Sequence, residues 1–172
     1  MHVRATLLCL LLSMWPLTVT AGEGFEYELA CGTPNQTSAQ SVPALLLIGG
    51  AEAGSAGEPG ATAWFLAQGG GGDYLVVRSG GIGTQADWIC SQFAAQLASA
   101  AELSVDSRAA ADSPEVVALI AAADMVFIAG GDQRVYVDLW RNTALANELQ
   151  RHANTEALAG TSAGMMIVAE SW

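Results

Sequence analysis

The sequence predicts an α/β fold, namely a doubly wound, mainly parallel sheet with helices on both faces. Short, continuous apolar runs alternate with stretches of helical spacing, and glycine-rich turns follow the apolar runs. Continuous apolar runs are typical of strands that are buried on both faces. Parallel strands need helical crossovers, and such sheets bind ligands at the carboxyl ends of their strands. The glycine-rich turns therefore indicate where a site would lie.

Composition limits the function classes. The 172 residues carry six arginines, no lysine and 17 acidic residues, for a formal charge of −11, and 52% are hydrophobic. Such hydrophobicity excludes intrinsic disorder. The lack of a basic patch argues against nucleic-acid binding. The length predicts one domain.

Residues 1–21 have the pattern of a signal peptide. Arg4 precedes the apolar stretch that begins at Leu7, and Val19-Thr20-Ala21 places small residues at a cleavage site after Ala21. The apolar stretch is too short for a transmembrane helix, so no stable membrane insertion is expected. We predict an exported protein, secreted or periplasmic; the alternative is an uncleaved interfacial anchor.

Two cysteines remain after cleavage, because Cys9 lies in the signal peptide. In an oxidising compartment, Cys31 and Cys90 could form one disulfide, or one could be a buried and the other an exposed thiol. The chain has no C-x-x-C motif and only two histidines, so we expect no metal and no cofactor.

The elements follow in order along the chain. Residues 22–42 predict a polar leader arm, and residues 43–172 predict the α/β domain. Within that domain the expected strands are Ala44–Ile48, Tyr74–Val77, Leu103–Val105, Met125–Ile128 and Ala157–Ala159. The expected helices are Ala61–Gln68, Ala86–Ala100, one from Ser113-Pro114 to Ala122, Val135–Gln150 and one from Met165.

The turn Gly160-Thr161-Ser162-Ala163-Gly164 matches G-x-S-x-G. It lies between an expected strand and an expected helix, which is the context of a nucleophile elbow. Such a turn exposes the serine hydroxyl, and the helix dipole and the N–H of Ala163 would face a developing oxyanion.

A second turn, Ala129-Gly130-Gly131-Asp132-Gln133, follows the preceding strand. Strands that neighbour each other would bring it beside Ser162, where its glycines could supply a second oxyanion donor. Gln133 could bind a substrate amide or carboxylate. We expect Asp132 to cap the next helix.

These two turns, GGDQ and about thirty residues later GTSAG, resemble the cyanophycinase/dipeptidase E family of serine peptidases. The segments Leu47–Gly50, Ala123–Gln133 and Trp140–Leu145 resemble it as well, so the similarity runs from about Ala44 to Ala169. The resemblance implies a class I glutamine amidotransferase-like fold.

The resemblance also implies hydrolysis of a peptide or isopeptide bond of the aspartyl or cyanophycin type, with a peptide or an aspartate/arginine-containing substrate. Ser162 would be the nucleophile, Gly131 and Ala163 would form the oxyanion hole, and Gln133 would line the substrate pocket. A homodimer is compatible with the sequence.

The sequence departs from the family in one respect. The family's catalytic histidine and acid lie downstream of the nucleophile, whereas this chain has ten residues after Ser162. His152 is expected to be a solvated residue near a helix end. The sequence therefore predicts a C-terminally truncated domain that is inactive by itself, because an unassisted serine hydroxyl is a poor nucleophile. We also expect it to be only marginally stable, because the sheet would lack its last strands and the final helix would be cut short.

Other interpretations compete with the peptidase. Gly81–Ala86 matches the dinucleotide pattern G-x-G-x-x-A, with Asp106 about twenty residues further on. An α/β-hydrolase esterase would share G-x-S-x-G but not the GGDQ turn. A secreted, non-catalytic binding remnant would follow from the missing histidine.

Overall fold

The computed structural model describes residues 19–34, 41–50 and 59–169. The strands are β1 (Val19–Gly22), β2 (Phe25–Gly32), β3 (Ala44–Ile48), β4 (Asp73–Arg78), β5 (Ser99–Val105), β6 (Met125–Ile128) and β7 (Ala157–Thr161). The helices are α1 (Pro59–Gln68), α2 (Gln85–Phe93), α3 (Arg108–Ala111), α4 (Pro114–Ala122), α5 (Gln133–Trp140), α6 (Ala144–Thr155) and α7 (Ala163–Ala169).

All seven strands form one sheet in the order β1-β2-β5-β4-β6-β7-β3. The five strands from β5 to β3 are mutually parallel, and β2 is antiparallel to both β1 and β5. The predicted doubly wound α/β fold is therefore confirmed. The antiparallel strands at one edge make the sheet mixed.

Helices cover both faces because the central strands are apolar on both sides. One core joins the sheet to α3–α7 through residues such as Ile120, Trp140 and Leu145. The other joins it to α1 and α2 through Phe65, Ile89 and their neighbours. Burial of these side chains is the main stabilising contribution to the fold.

The sheet extends into the predicted leader arm. β2 pairs along most of β5, so this part of the segment 22–42 is a strand and not an arm outside the fold. Phe25, Tyr27 and Leu29 pack against the core. A disulfide between Cys31 and Cys90 links β2 to α2, which decides between the two alternatives for these cysteines.

The predicted signal peptide lies mostly outside the described residues. Its last residues, 19–21, belong to β1 at the edge of the sheet. Cleavage after Ala21 would remove most of β1 and leave β2 as the edge strand. Within the described ranges, no helix is long and apolar enough to cross a membrane.

Several predicted boundaries change. The expected helix Val135–Gln150 is two helices, because Asn142 adopts a left-handed φ of 58° and Thr143 caps α6. The expected helix Ala86–Ala100 ends at Phe93 and is followed by a 3-10 turn, and β5 already begins at Ser99. Ser113 and Pro114 begin α4 as predicted.

Candidate active site

Ser162 lies in a strand–turn–helix junction at the carboxyl end of β7. Its side chain is exposed, and its φ of 51° is in the left-handed region that few residues other than glycine adopt. The Ser162 N–H donates to the Ile48 carbonyl oxygen at 2.9 Å, which ties the turn to the end of β3. The geometry of the turn agrees with the predicted nucleophile elbow.

The two glycines of G-x-S-x-G are required by close packing. A Cβ at Gly160 would lie 2.5 Å from the carbonyl oxygen of Gly164. A Cβ at Gly164 would lie 2.2 Å from the Ile128 carbonyl oxygen. Because these contacts are with backbone atoms, no larger residue fits without displacement of β6 or α7.

The GGDQ turn lies directly beside Ser162. β6 and β7 are adjacent and parallel, and Ile128 pairs with Gly160, so the turns that follow them meet. A Cβ at Gly130 would be 3.5 Å from the Ser162 Cβ. The expectation that adjacent strands bring these turns together is met by this arrangement.

The two expected oxyanion donors are Gly131 and Ala163. Ala163 is the first residue of α7, where helix N–H groups lack intrahelical acceptors. In the part of the chain that the structure describes, no backbone acceptor pairs with either the Gly131 or the Ala163 N–H. Neither group is therefore committed to a backbone acceptor within the described residues.

The start of α5 positions the remaining expected residues. Asp132 accepts a hydrogen bond from the Arg134 N–H at 2.8 Å, so it is the helix cap that the sequence predicted. Gln133 is exposed and lines an open groove of about 540 Å³ between α5 and α7. Arg134 and Met166 line the same groove.

The family assignment follows from a comparison with models of protein families. The model of peptidase family S51 matches residues 45–172, most of the chain. The chain belongs to peptidase family S51. This confirms the resemblance to the cyanophycinase/dipeptidase E family.

Solved structures agree with the fold of the S51 chain. It is similar to a peptidase from an acI-B1 Actinobacterium, with a TM-score of 0.56 and 22% sequence identity. The alignment covers 74% of this chain and 57% of that chain, so the S51 chain spans little more than half of that structure's length. A search among curated proteins found no match.

His152 cannot assist Ser162 in the S51 chain. It is fully buried on α6, and its Nε2 lies 3.2 Å from the Ala157 carbonyl oxygen, at the start of β7. Ser162 follows the far end of that strand, about 16 Å away at the usual rise per residue. The expectation of a solvated helix-end histidine is wrong, because α6 turns this side chain into the protein.

The dinucleotide interpretation fails because the loop's N–H groups are already paired. The Gly83 N–H donates to the Glu102 carboxylate at 2.6 Å, and the Ala86 N–H to the same carboxylate at 3.4 Å. The Gly80 N–H donates to Asp106 at 2.5 Å. Glu102 and Asp106 thus accept the N–H groups that a phosphate would need at a loop of this kind.

Two residues that hold glycine-containing turns in place were not found from the sequence. The buried hydroxyl of Tyr136 lies 3.1 Å from both the Ala129 and the Gly130 carbonyl oxygens, so its proton can be shared between them. These contacts hold the start of the GGDQ turn in place. Burial raises the pKa of Tyr136, so the hydroxyl keeps its proton. Glu102, which holds the glycine loop and contacts Arg78 at 3.2 Å, gave no signal beyond a lone charge in an apolar strand.

No metal site emerges from these residues. Within the ranges 19–34, 41–50 and 59–169, histidine, cysteine and acidic side chains form no cluster of three that could hold a metal ion.

Proposed function

We propose that this S51 chain carries a serine-type peptidase site with Ser162 as its nucleophile. The substrate class that the family suggests is a peptide or isopeptide bond of the aspartyl or cyanophycin type. The observation that supports the proposal is the exposed Ser162 at φ 51°, between glycines that no larger residue could replace. Strained backbone of this kind concentrates at functional sites.

The proposed reaction is an acyl transfer. The Ser162 Oγ attacks the carbonyl carbon of the scissile bond and loses its proton, and the carbonyl oxygen becomes an oxyanion. The free N–H groups of Gly131 and Ala163 would donate to that oxyanion. Collapse of the intermediate expels the amine, which takes up a proton, and water then hydrolyses the ester to release the acid and restore the hydroxyl.

The proton that Ser162 loses needs an acceptor. His152 is buried and far from Ser162, so it is not a candidate for the base. The other histidine, His2, lies outside the described residues. We therefore propose that this 172-residue chain turns over slowly. The second candidate function is a binding protein of the same fold without catalysis. The lack of a histidine beside Ser162 among the described residues favours this candidate.

A fluorophosphonate probe tests the nucleophile. We expect slow labelling of Ser162, because its side chain is exposed at a strained turn and the N–H groups of Gly131 and Ala163 could stabilise the charge that develops on the probe. The S162A variant should lose the label. S91A is the matched control, since Ser91 is also exposed but lies on α2. Equal labelling of the parent chain and S162A would contradict the proposal.

Turnover separates the two candidate functions. We expect the peptidase to hydrolyse β-aspartyl dipeptides slowly and in a manner that depends on Ser162, whereas the binding protein would not hydrolyse them. Rapid hydrolysis that S162A abolishes would show that a base is present after all. Absence of both labelling and turnover would favour the binding protein.

We also propose that the chain is exported and processed after Ala21, and that it could form a homodimer. The Cys31–Cys90 disulfide supports an oxidising compartment. Amino-terminal sequencing of the protein recovered from outside the cytoplasm should begin at Gly22.

A further inference from the structure

The groove between α5 and α7 has an apolar part and a polar part. Its apolar lining comes from Val137, Met165, Met166, Ile167 and Ala169. Its polar lining, Gln133 and Arg134, comes from the first residues of α5. A volume of about 540 Å³ lies in the range of small-molecule sites, which are mostly apolar with a few placed polar groups.

The groove begins next to the proposed nucleophile. The Met166 N–H donates to the Ser162 carbonyl oxygen at 3.1 Å, so the groove starts within one helical turn of Ser162. Gln133 and Arg134 follow directly on the turn that contains Gly130, which itself faces Ser162. A substrate with its carbonyl at Ser162 could therefore place one end in the groove.

Arg134 brings an uncommitted positive charge to this groove. Arg78 pairs with Glu102, Arg108 donates to two carbonyl oxygens, and Arg151 pairs with Glu148. Among the described residues, no side chain or backbone oxygen pairs with the Arg134 guanidinium. Its neighbour Asp132 is engaged as the helix cap.

We propose that this groove binds the leaving-group residue of the substrate, and that this residue has an apolar side chain and a free α-carboxylate. Arg134 would bind the carboxylate, since a guanidinium matches its geometry with two parallel N–H donors. The apolar walls would bind the side chain. This inference rests on the proposed function, and it makes the site an exopeptidase that prefers an apolar residue over arginine after the scissile bond.

The positive charge of the groove favours an apolar leaving-group residue over arginine. An arginine leaving group would place its guanidinium beside Arg134 and on apolar walls, with no described carboxylate in the lining to pair with it. Like charges repel, and an unpaired charge is costly on an apolar surface. A leucine would instead bury its apolar side chain against Val137 and Met166.

The test measures binding to the S162A chain, in which no hydrolysis interferes. Calorimetry would compare β-aspartyl-leucine with a free carboxyl group, the same dipeptide as its C-terminal amide, and β-aspartyl-arginine. We expect the acid to bind about tenfold more tightly than the amide, as a charge-assisted hydrogen bond predicts. We expect the leucine dipeptide to exceed the arginine dipeptide by at least about tenfold, as leucine burial predicts.

The variant R134Q should abolish the preference for the acid over the amide. R141Q is the matched control, because Arg141 is exposed at the opposite end of α5 and does not line the groove. V137D should weaken the leucine dipeptide and leave the arginine dipeptide unchanged or tighter. Equal binding of acid and amide, or an unchanged preference in R134Q, would overturn the inference.

Failure here is distinguishable from failure of the proposed function. Binding to S162A does not depend on a nucleophile, whereas fluorophosphonate labelling of the parent chain does not depend on Arg134. Labelling of Ser162 together with indifference to the carboxyl group would reject the groove alone. Carboxylate-dependent binding without labelling would reject the nucleophile alone.

Discussion

At the scale of single residues, Gly164 decides whether the Ser162 turn can form. The first residues of α7 pass so close to the end of β6 that only a hydrogen atom fits at the Gly164 Cα. This contact sets the distance between the GTSAG and GGDQ turns. The arrangement of the proposed nucleophile and its oxyanion donors therefore depends on a residue without a side chain.

We expect G164A to destabilise the protein and to suppress labelling of Ser162. A Cβ at this position would press on the Ile128 carbonyl oxygen, and such overpacking costs about 1–3 kcal/mol or more. Chemical denaturation measures the free energy of unfolding, and the fluorophosphonate probe reports on Ser162. G60A is the control, since a Cβ at Gly60 would meet no atom within 4 Å. Normal labelling of a stable G164A variant would contradict this account.

The sequence predicted this turn because its residue types are restrictive. Small residues around one serine, between a strand and a helix, leave few other conformations, and Ser162 is exposed as expected. The sequence could not predict that Tyr136 lies beneath the GGDQ turn. This role depends on how α5 packs against the end of β6, and a local sequence pattern does not contain that information.

At the scale of elements, the loop between β4 and α2 is organised by a carboxylate from β5. Glu102 is buried, accepts N–H groups from the loop and contacts Arg78. The negative charge at the start of α2 also compensates its helix dipole. An acidic side chain of the protein itself thus takes the role that a bound anion has in similar glycine-rich loops.

We expect E102A to lower the free energy of unfolding by about 2–3 kcal/mol, because it leaves buried N–H groups and Arg78 without their acceptor. Urea denaturation measures the change. E148A is the matched control, since Glu148 is less buried than Glu102 and pairs at 2.6 Å with the exposed side chain of Arg151. That pair should contribute about 0.5 kcal/mol. Equal effects of the two variants would show that burial of Glu102 adds nothing.

Two element predictions failed for identifiable reasons. The predicted leader arm contains β2, in which Phe25, Tyr27, Leu29 and Cys31 alternate with other residues, at the period of a strand with one buried face. Its two glutamates made the segment look like a polar arm. The α5–α6 break depends on the left-handed Asn142 before a Thr143 cap, and this short signal lay inside a continuous helical pattern.

At the scale of the whole molecule, the strand order places the site. β6 and β7 are neighbours near one edge of the parallel part, and β3 lies beside β7. Alternating strands and helices predicted a parallel sheet, but their pattern does not contain the order of strands. That order depends on which strand edges pair, as β2 does with β5, and such pairing joins residues far apart in the sequence.

The stability of the whole fold should depend on pH through His152. Burial, with the positive charge of Arg151 adding to it, lowers the pKa of His152 to about 4. The unfolded chain binds this proton at its ordinary pKa of 6.5. Between these values the unfolded state holds more protons, so stability should fall as pH drops from about 6.5 to 4, by up to about 3 kcal/mol.

Denaturation curves at pH 7.5 and pH 5 measure this effect. The H152Q variant removes the titrating group and should show a smaller loss on acidification, even if it is less stable at both pH values. An identical pH dependence in the parent chain and H152Q would assign the acid sensitivity to other groups.

The link between Cys31 and Cys90 closes a ring of backbone that contains β3, α1 and β4. A protease that cuts the chain once inside this ring leaves the two fragments joined by the disulfide. The end of β3, which accepts a hydrogen bond from the Ser162 N–H, would then remain attached to the fragment that contains Ser162. On a gel, such a nicked molecule would migrate as one species until a reducing agent separates it into two.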